Sequence, residues 1–504
     1  MVGSKWLSPI KTRRTDIDET GLDEEEPLSP GARLFHAPKF NCCIIAIVGC
    51  KTKFDVEVIK QGLLHTLIKH PRFSSKLVFD AKKRHKPTGW VRTKVVLDDH
   101  IIVPDLDPNM DSPDKFLEDY ISNITRSPMD LSKPLWELHL LNLKTKEANA
   151  IGIFRIHHSI GDGISLMSLV LACTRQTANP DALPTLPTSK KKTTKTTRLS
   201  CSFGFLSYFL GLMVLVKLLW NTLMDLAMFG ATALWLKDTN TPVKGVPGTE
   251  TTPKRFVYRT VSVDDVMLVK KALDVTVNDV LLGITQAGLS NYLNRKYGEI
   301  KGNGKADDDN LPKRISLRST LLVNLRPTST IEDLAEKMDS NSKGKWKNWG
   351  NAIGYIIFPF NIALRDDPLD YILDAKATID KKKQSLEAPC TYTTARIVLK
   401  TLGLRVITAL SYRVLSHATL SFSNIVGPKE EISFYGHPIT FLAPSVYGHP
   451  QALTIHFQSY MDKMTLVLAV DRDVIPDPYI LCDEIEESLK LAKKAVIHKR
   501  LIKS

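Results

Sequence analysis

The spacing of apolar and polar positions changes period repeatedly along this chain. Phe40 to Val48 and Ala150 to Ile156 are short, nearly unbroken apolar runs, the pattern of strands buried on both faces. Val56 to Lys69 carries apolar residues at helical spacing, and His70-Pro71 ends it. Ile164 to Cys173 reads as an apolar helix. Further on, Arg255 to Val263, Ser316 to Leu325 and Ile353 to Phe360 read as strands. Ala452 to Tyr460 and Met464 to Val470 read as a hairpin turning at Met461-Asp462-Lys463. Asp264 is placed to cap a short helix reaching about Lys271. Val277 to Leu293 and Leu481 to His498 read as longer helices, and Lys301 to Asn310 as a polar loop. Alternating strands and helices of this kind predict an α/β architecture.

One stretch breaks that rhythm. Phe203 to Val216 has no charge, Lys217 stops the run, and Asp225 interrupts it again before Leu236. A spanning helix needs about 20 apolar residues, and each buried charge costs a few kcal/mol. Two halves that build one site must also lie on the same side of a membrane. The expectation is therefore a helix or helical hairpin lying in one leaflet, with a buried core helix as the alternative. The segment before it, residues 184–200, holds Lys190, Lys191, Lys192, Lys195 and Arg198 among threonines and prolines, suited to anionic headgroups.

These patterns divide the chain into four parts: an acidic tail over residues 1–26, a first half over 27–185, a basic linker with the apolar segment over 186–250, and a second half over 251–504. A length of 504 residues suits two domains, and 43% apolar with 24% charged residues suits a globular protein. Seven scattered cysteines argue for a reducing compartment rather than a disulfide scaffold. Residues 1–30 lack the apolar run of a signal peptide. The net charge of +14 is dispersed and no nucleic-acid motif accompanies it, so anionic membrane surfaces fit it better than nucleic acid.

The chemistry concentrates in His157-His158-Ser159-Ile160-Gly161-Asp162-Gly163, at the turn between a buried strand and an apolar helix. The glycines permit a tight backbone there. An imidazole held rigidly at such a turn is suited to act as a general base on an alcohol or amine. A metal site is not expected: adjacent histidines on a strand point to opposite faces, and no further ligands complete a set.

HHSIGDG resembles the HHxxxDG signature of acyltransferases that use CoA, in particular the plant wax ester synthase/diacylglycerol acyltransferase family. Three further blocks follow in family order: Pro134-Leu135-Trp136-Glu137 resembles its PLW block, Asn278-Asp279-Val280 its ND motif, and Ser423-Asn424-Ile425-Val426-Gly427-Pro428 its SN-x-x-GP segment. The resemblance covers roughly residues 26 to 490. It implies a chloramphenicol-acetyltransferase-like sandwich of two α/β halves, with a tunnel between them and a membrane-associated helical insert.

The same resemblance assigns roles. His158 matches the catalytic base, and His157 either orients the turn, lines the acceptor pocket or packs as a strand residue. Asp162 could orient His158, but a structural pairing with Arg326 is the stronger expectation, and Gly163 allows close approach. Asn278 and Asp279 are either helix caps or part of the site wall. Ser423 and Asn424 either hydrogen-bond the oxyanion or CoA, or form a plain turn. Trp136 is expected in the core. The implied activity is esterification of long-chain fatty alcohols, and of diacylglycerol, by acyl-CoA, with no cofactor. The rival readings are an acyltransferase for another alcohol and a non-catalytic membrane lipid-binding protein. Lipid synthesis points to the endoplasmic reticulum membrane, with both halves facing the cytosol, ahead of the plasma membrane.

Overall fold

The longest apolar runs become the central strands. In the computed structural model, which describes residues 25–37, 39–79, 87–107, 109–186, 204–302, 308–325, 351 and 353–501, the strand Ala150–His157 is buried at every position. It pairs antiparallel with Cys43–Cys50 on one side and Trp136–Leu141 on the other, with His157 opposite Cys43. This first sheet runs in the order 101–102, 136–141, 150–157, 43–50, 437–447, 432–434, 174–176. The second sheet runs 353–360, 317–324, 420–425, 453–460, 463–471, 254–262. Each sheet carries its own apolar core.

The two halves are interlocked. Ile432–Phe434 and His437–Tyr447 come from the second half of the chain yet extend the first sheet, His437–Tyr447 lying against Cys43–Cys50. The chain then returns through Leu453–Tyr460 to the second sheet. Residues 432–447 therefore tie the halves together along the seam where they face each other.

Helices cover the second sheet. Val277–Lys301 starts at a capping box, in which the Thr276 hydroxyl accepts from Asp279 N–H and the Asp279 carboxylate accepts from Thr276 N–H. This helix lies very close to two others. A Cβ at Gly283 would sit 2.6 Å from Ile372 Cα, and one at Gly288 would sit 2.5 Å from Ile485 Cγ1. Only glycine permits that approach. The helix also runs to Lys301, beyond the expected end at Leu293, because its later turns still bury Asn294 and Gly298. The helix after Arg255–Val263 is capped by Ser262, whose hydroxyl accepts from Asp265 N–H, and not by Asp264. The expected helix over 56–69 ends at His65, and a 3-10 turn takes over at Leu67–Lys69.

The apolar segment forms one continuous helix, Gly204–Leu234, not a hairpin. It is not a core helix: Tyr208, Val214, Trp220 and Leu223 are 60% or more exposed. Tyr208–Leu234 is long and apolar enough to cross a membrane. Its second half, however, is fastened to the body. Lys382 bridges Asp225 (2.7 Å) and the buried Glu387 (2.8 Å), Asn221 donates to Gln384 O, Leu386 N–H donates to Thr222, and the His417 ring bonds Thr232 O. Asp225, which interrupts the apolar pattern in sequence, is the charge that anchors this helix.

Candidate active site

The HHSIGDG turn is built by three consecutive pieces of chain. The strand Ala150–His157 delivers the two histidines, His158 N–H donates to Cys42 O, and the Asp162 carboxylate accepts from Ser165 N–H as the cap of the helix Gly163–Ala172. Both histidines are buried, His157 at 1% and His158 at 6% exposure. Their environments differ. His157 is fully committed: one ring nitrogen bonds Ser159 Oγ (2.7 Å), the other Asn41 Oδ1 (3.1 Å), and the ring stacks on His36 at 4.3 Å. His158 stacks on Phe35 at 4.2 Å, and its Nδ1 completes no well-aligned hydrogen bond. Of the two, His158 is the imidazole left available for chemistry.

Burial lowers the pKa of both. For His157 the drop is large and the positive neighbourhood of His36, His158 and Arg155 adds to it. For His158 burial is again the main cause, partly offset by its own backbone carbonyl, by the Asp162 carboxylate and by the Asn351 side chain. A His158 neutral at physiological pH is in the form a base requires.

The second half meets this turn across the seam. Ser421, Ser423 and Ile425 lie opposite Thr454, His456 and Gln458 in parallel register, so these six share one face of the second sheet. Ile425 lies on Gly163, where an added Cβ would meet Ile425 Cδ1 at 3.5 Å, an ordinary contact. Gly163 thus leaves a small free space rather than relieving a clash. His456 bonds Ser445 Oγ (3.0 Å), and His449 bonds Thr454 Oγ1 (3.0 Å). Burial, with His158 as a positive neighbour, lowers His456 to about 4. His449, with Lys254 and His456 added, falls to about 3.

The other expected residues divide. Ser423 is half-buried and makes no side-chain hydrogen bond among the described residues. Asn424 donates to Asn278 Oδ1 (2.7 Å), so these two motif residues meet and hold the strand 420–425 to the helix 277–301. Asp279 is fully buried in its capping box, which is the cap role among the two expected for it. Asp162 caps a helix as well, which accounts for it structurally. Arg326 lies outside the described residues. Trp136 is buried, its indole donating to Phe73 O.

Sequence reasoning passed over several neighbours. Asn351 donates to the His158 carbonyl (3.0 Å) and keeps its buried Oδ1 without a partner. Phe35, His36 and Asn41 hold the two imidazoles from the segment before the first strand. The only local signals were His36 and Asn41 ahead of a strongly apolar run, and two histidines seven apart at 449 and 456.

Two family profiles match this chain. The wax ester synthase/diacylglycerol acyltransferase catalytic domain covers residues 36–281, and the WS/DGAT C-terminal domain covers 349–493. The chain is 52% identical over 501 residues to wax ester synthase/diacylglycerol acyltransferase 5 of Arabidopsis thaliana, spanning 97% of this chain and 98% of the relative. The chain belongs to the wax ester synthase/diacylglycerol acyltransferase family. Among solved structures, a wax ester synthase/diacylglycerol acyltransferase from Marinobacter aquaeolei VT8 superposes with a TM-score of 0.57 at 16% identity, over 93% of this chain and 99% of that one. The starter condensation domain of rhizomide synthetase, in complex with C8-CoA and Leu-SNAC, superposes with a TM-score of 0.53 at 11% identity, over 95% and 96% of the two chains. These likenesses show the shared fold of two α/β halves, the one expected from HHSIGDG. Within this family the chain is an acyltransferase, with its HHSIGDG turn inside the matched catalytic domain.

Proposed function

We propose that this family member transfers the acyl group of acyl-CoA to the hydroxyl of a long-chain fatty alcohol, giving a wax ester, and to diacylglycerol, giving triacylglycerol. The observation that carries the mechanism is the contrast between the two histidines: His157 has both ring nitrogens bonded, and His158 does not. Nδ1 of His158 is buried away from solvent, so the scheme gives the role of base to Nε2. Nε2 takes the proton of the acceptor hydroxyl as its oxygen attacks the thioester carbonyl. The tetrahedral adduct then expels the thiolate, the C–S bond breaks, and the imidazolium returns the proton to sulfur. No acyl-enzyme is needed. Asp162 and Asn351 hold the loop around His158, and Asn351 is a positioning residue in this scheme. Ser423, with its hydroxyl uncommitted on the face opposite the turn, is the candidate donor to the oxyanion. Asn424 has one amide hydrogen already given to Asn278.

Both acceptors partition into bilayers, and the exposed helix is the means of reaching them. Its second half, from Asn221 onward, is tied to the protein along one face, while Leu223, Met224 and Met228 stay exposed. The helix ahead of those ties, Gly204 to Trp220, is a few residues short of the ~20 a crossing needs. A helix lying in the cytosolic leaflet of the endoplasmic reticulum membrane accommodates both facts, with the two halves on one side. The apolar face that it would bury is offered by Phe209, Leu212, Val216 and Leu219 among others.

The test is an acyl-transfer assay on membranes carrying the full chain, with labelled palmitoyl-CoA and either hexadecanol or diacylglycerol. Wild type should form ester. His158→Ala should lose it by about a hundredfold or more, the scale of general-base catalysis, while still folding. Ester formation that survives His158→Ala would remove His158 as the base. A folded wild type that esterifies neither acceptor would refute the substrate assignment.

A further inference from the structure

A cavity of about 500 Å³ opens between Ala37 and Lys39 on one side and the helix Leu404–His417 on the other. Its wall presents Lys39, Arg405 and Arg413, with Thr408 and Tyr412 between them. Three cations around one cavity repel each other. Here none of the three has an acidic partner within ion-pair distance among the described residues. The acid in contact with the lining is Glu250, which accepts the Tyr412 hydroxyl at 3.3 Å, so the lining keeps a positive excess. Lys39 also holds a left-handed backbone, φ 71°, which places its ammonium 4.6 Å over the Tyr412 ring, at the cavity wall. A non-glycine residue in that conformation is strained.

The cavity's position relates it to the site. Phe40 follows Lys39 and packs edge-on against Tyr412. Phe40 belongs to the same buried cluster as Phe35, and Phe35 stacks on His158. One aromatic layer therefore separates the cationic cavity from the base. Leu402 and Val406, close to the lining residue Arg405 along the chain, are exposed.

We infer that the cavity framed by Lys39, Arg405 and Arg413 is a phosphate-binding site. Cationic side chains grip phosphate oxygens through charge-assisted hydrogen bonds, and arginine does so in a two-pronged fashion. Two sources of phosphate fit. Acyl-CoA carries its phosphates at one end and its thioester at the other, and a site one layer from His158 would hold the former while the latter reaches the base; this source rests on the acyl-CoA reading above. A phospholipid headgroup reaches the same cations if Leu402 and Val406 meet the bilayer.

The double variant Arg405→Gln/Arg413→Gln tests this. Both side chains are exposed, so the fold should be unchanged, and a matching urea midpoint checks that. The full chain in neutral detergent is titrated with CoA, and sedimentation is measured with vesicles of phosphatidylcholine and of phosphatidylcholine with phosphatidylserine. The ester assay on wild type runs beside them. Losing two charge-assisted contacts should weaken the phosphate ligand about tenfold to a hundredfold. A fall in CoA affinity, with a raised KM for palmitoyl-CoA and little change in kcat, assigns the cavity to CoA. Unchanged CoA binding with a comparable fall on the phosphatidylserine vesicles assigns it to headgroups. If neither binding changes while wild type still makes ester, this inference is overturned and the acyltransferase reading stands.

Discussion

His456 gives a measurable acid sensitivity to the seam between the halves. It is 8% exposed, bonds Ser445 through Nδ1, and burial holds its pKa at about 4 against 6.5 for an ordinary histidine. A histidine with a lowered folded pKa stays neutral in the native state while the unfolded chain takes up a proton below pH 6.5. Its contribution to stability is therefore complete above pH 6.5 and is lost as pH falls towards 4. Between neutrality and about pH 5 the loss is about 2 kcal/mol for this one group. His449, lowered to about 3 and also buried, adds a similar loss. Together these are a large part of the 5–15 kcal/mol that typically separates folded from unfolded. The perturbation is His456→Asn, whose amide can still bond Ser445 but does not titrate. Urea unfolding of the purified chain in non-ionic detergent, at about pH 7.5 and about pH 5, gives the comparison. The variant should be somewhat less stable than wild type at the higher pH, from lost packing. It should lose about 2 kcal/mol less than wild type on going to the lower pH. If wild type and variant lose the same stability between the two conditions, His456 is not kept neutral by burial and the reasoning fails.

Three other outcomes are expected. Lys382→Met leaves the carboxylates of Glu387, 1% exposed, and Asp225 facing each other unpaired, and should cost about 3–5 kcal/mol in thermal or urea unfolding; a loss below ~1 kcal/mol would show that this ion triad does not anchor the long helix. Asp162→Ala removes the cap of the Gly163–Ala172 helix and should cost about 0.5–2 kcal/mol, whereas Asp162→Asn, which still caps, should unfold close to wild type; equal losses in the two variants would point to a charge interaction instead. Replacing Leu215, Leu219 and Leu223, all exposed, by serine should leave the unfolding midpoint alone and lower sedimentation with lipid vesicles at least tenfold; unchanged sedimentation would rule out this helix as the membrane contact.

What could be read from the sequence follows from the range of each interaction. The strand Ile353–Phe360 and the hairpin formed by Leu453–Tyr460 and Lys463–Asp471 were legible because a strand's burial pattern is written in its own residues. The HHSIGDG turn was legible for the same reason: its strand, turn and helix are consecutive, so the sequence pattern and the site geometry coincide. The Ser262 cap was misassigned by two positions because serine and aspartate both cap helices, and choosing between them takes the backbone angle. Asp225 is a different case. In sequence it is a charge that spoils an apolar run, and its meaning depends on Lys382, a residue 157 positions away. Asn351 holding the His158 carbonyl is equally remote, at 193 positions. No local period carries such partnerships.

The interlocking of the halves explains why the unread part is concentrated at the site. His158 comes from the first sheet, and Ser423 and His456 from the second. The strand His437–Tyr447, which leaves its own half to pair with Cys43–Cys50, brings Ser445 against His456 and closes the seam. A site built at a junction of sheets draws half its residues from strands whose apolar pattern records only that they are buried, not what they face. The motif therefore names the proposed base, while the residues packed around it become visible only once the crossing of residues 432–447 is known.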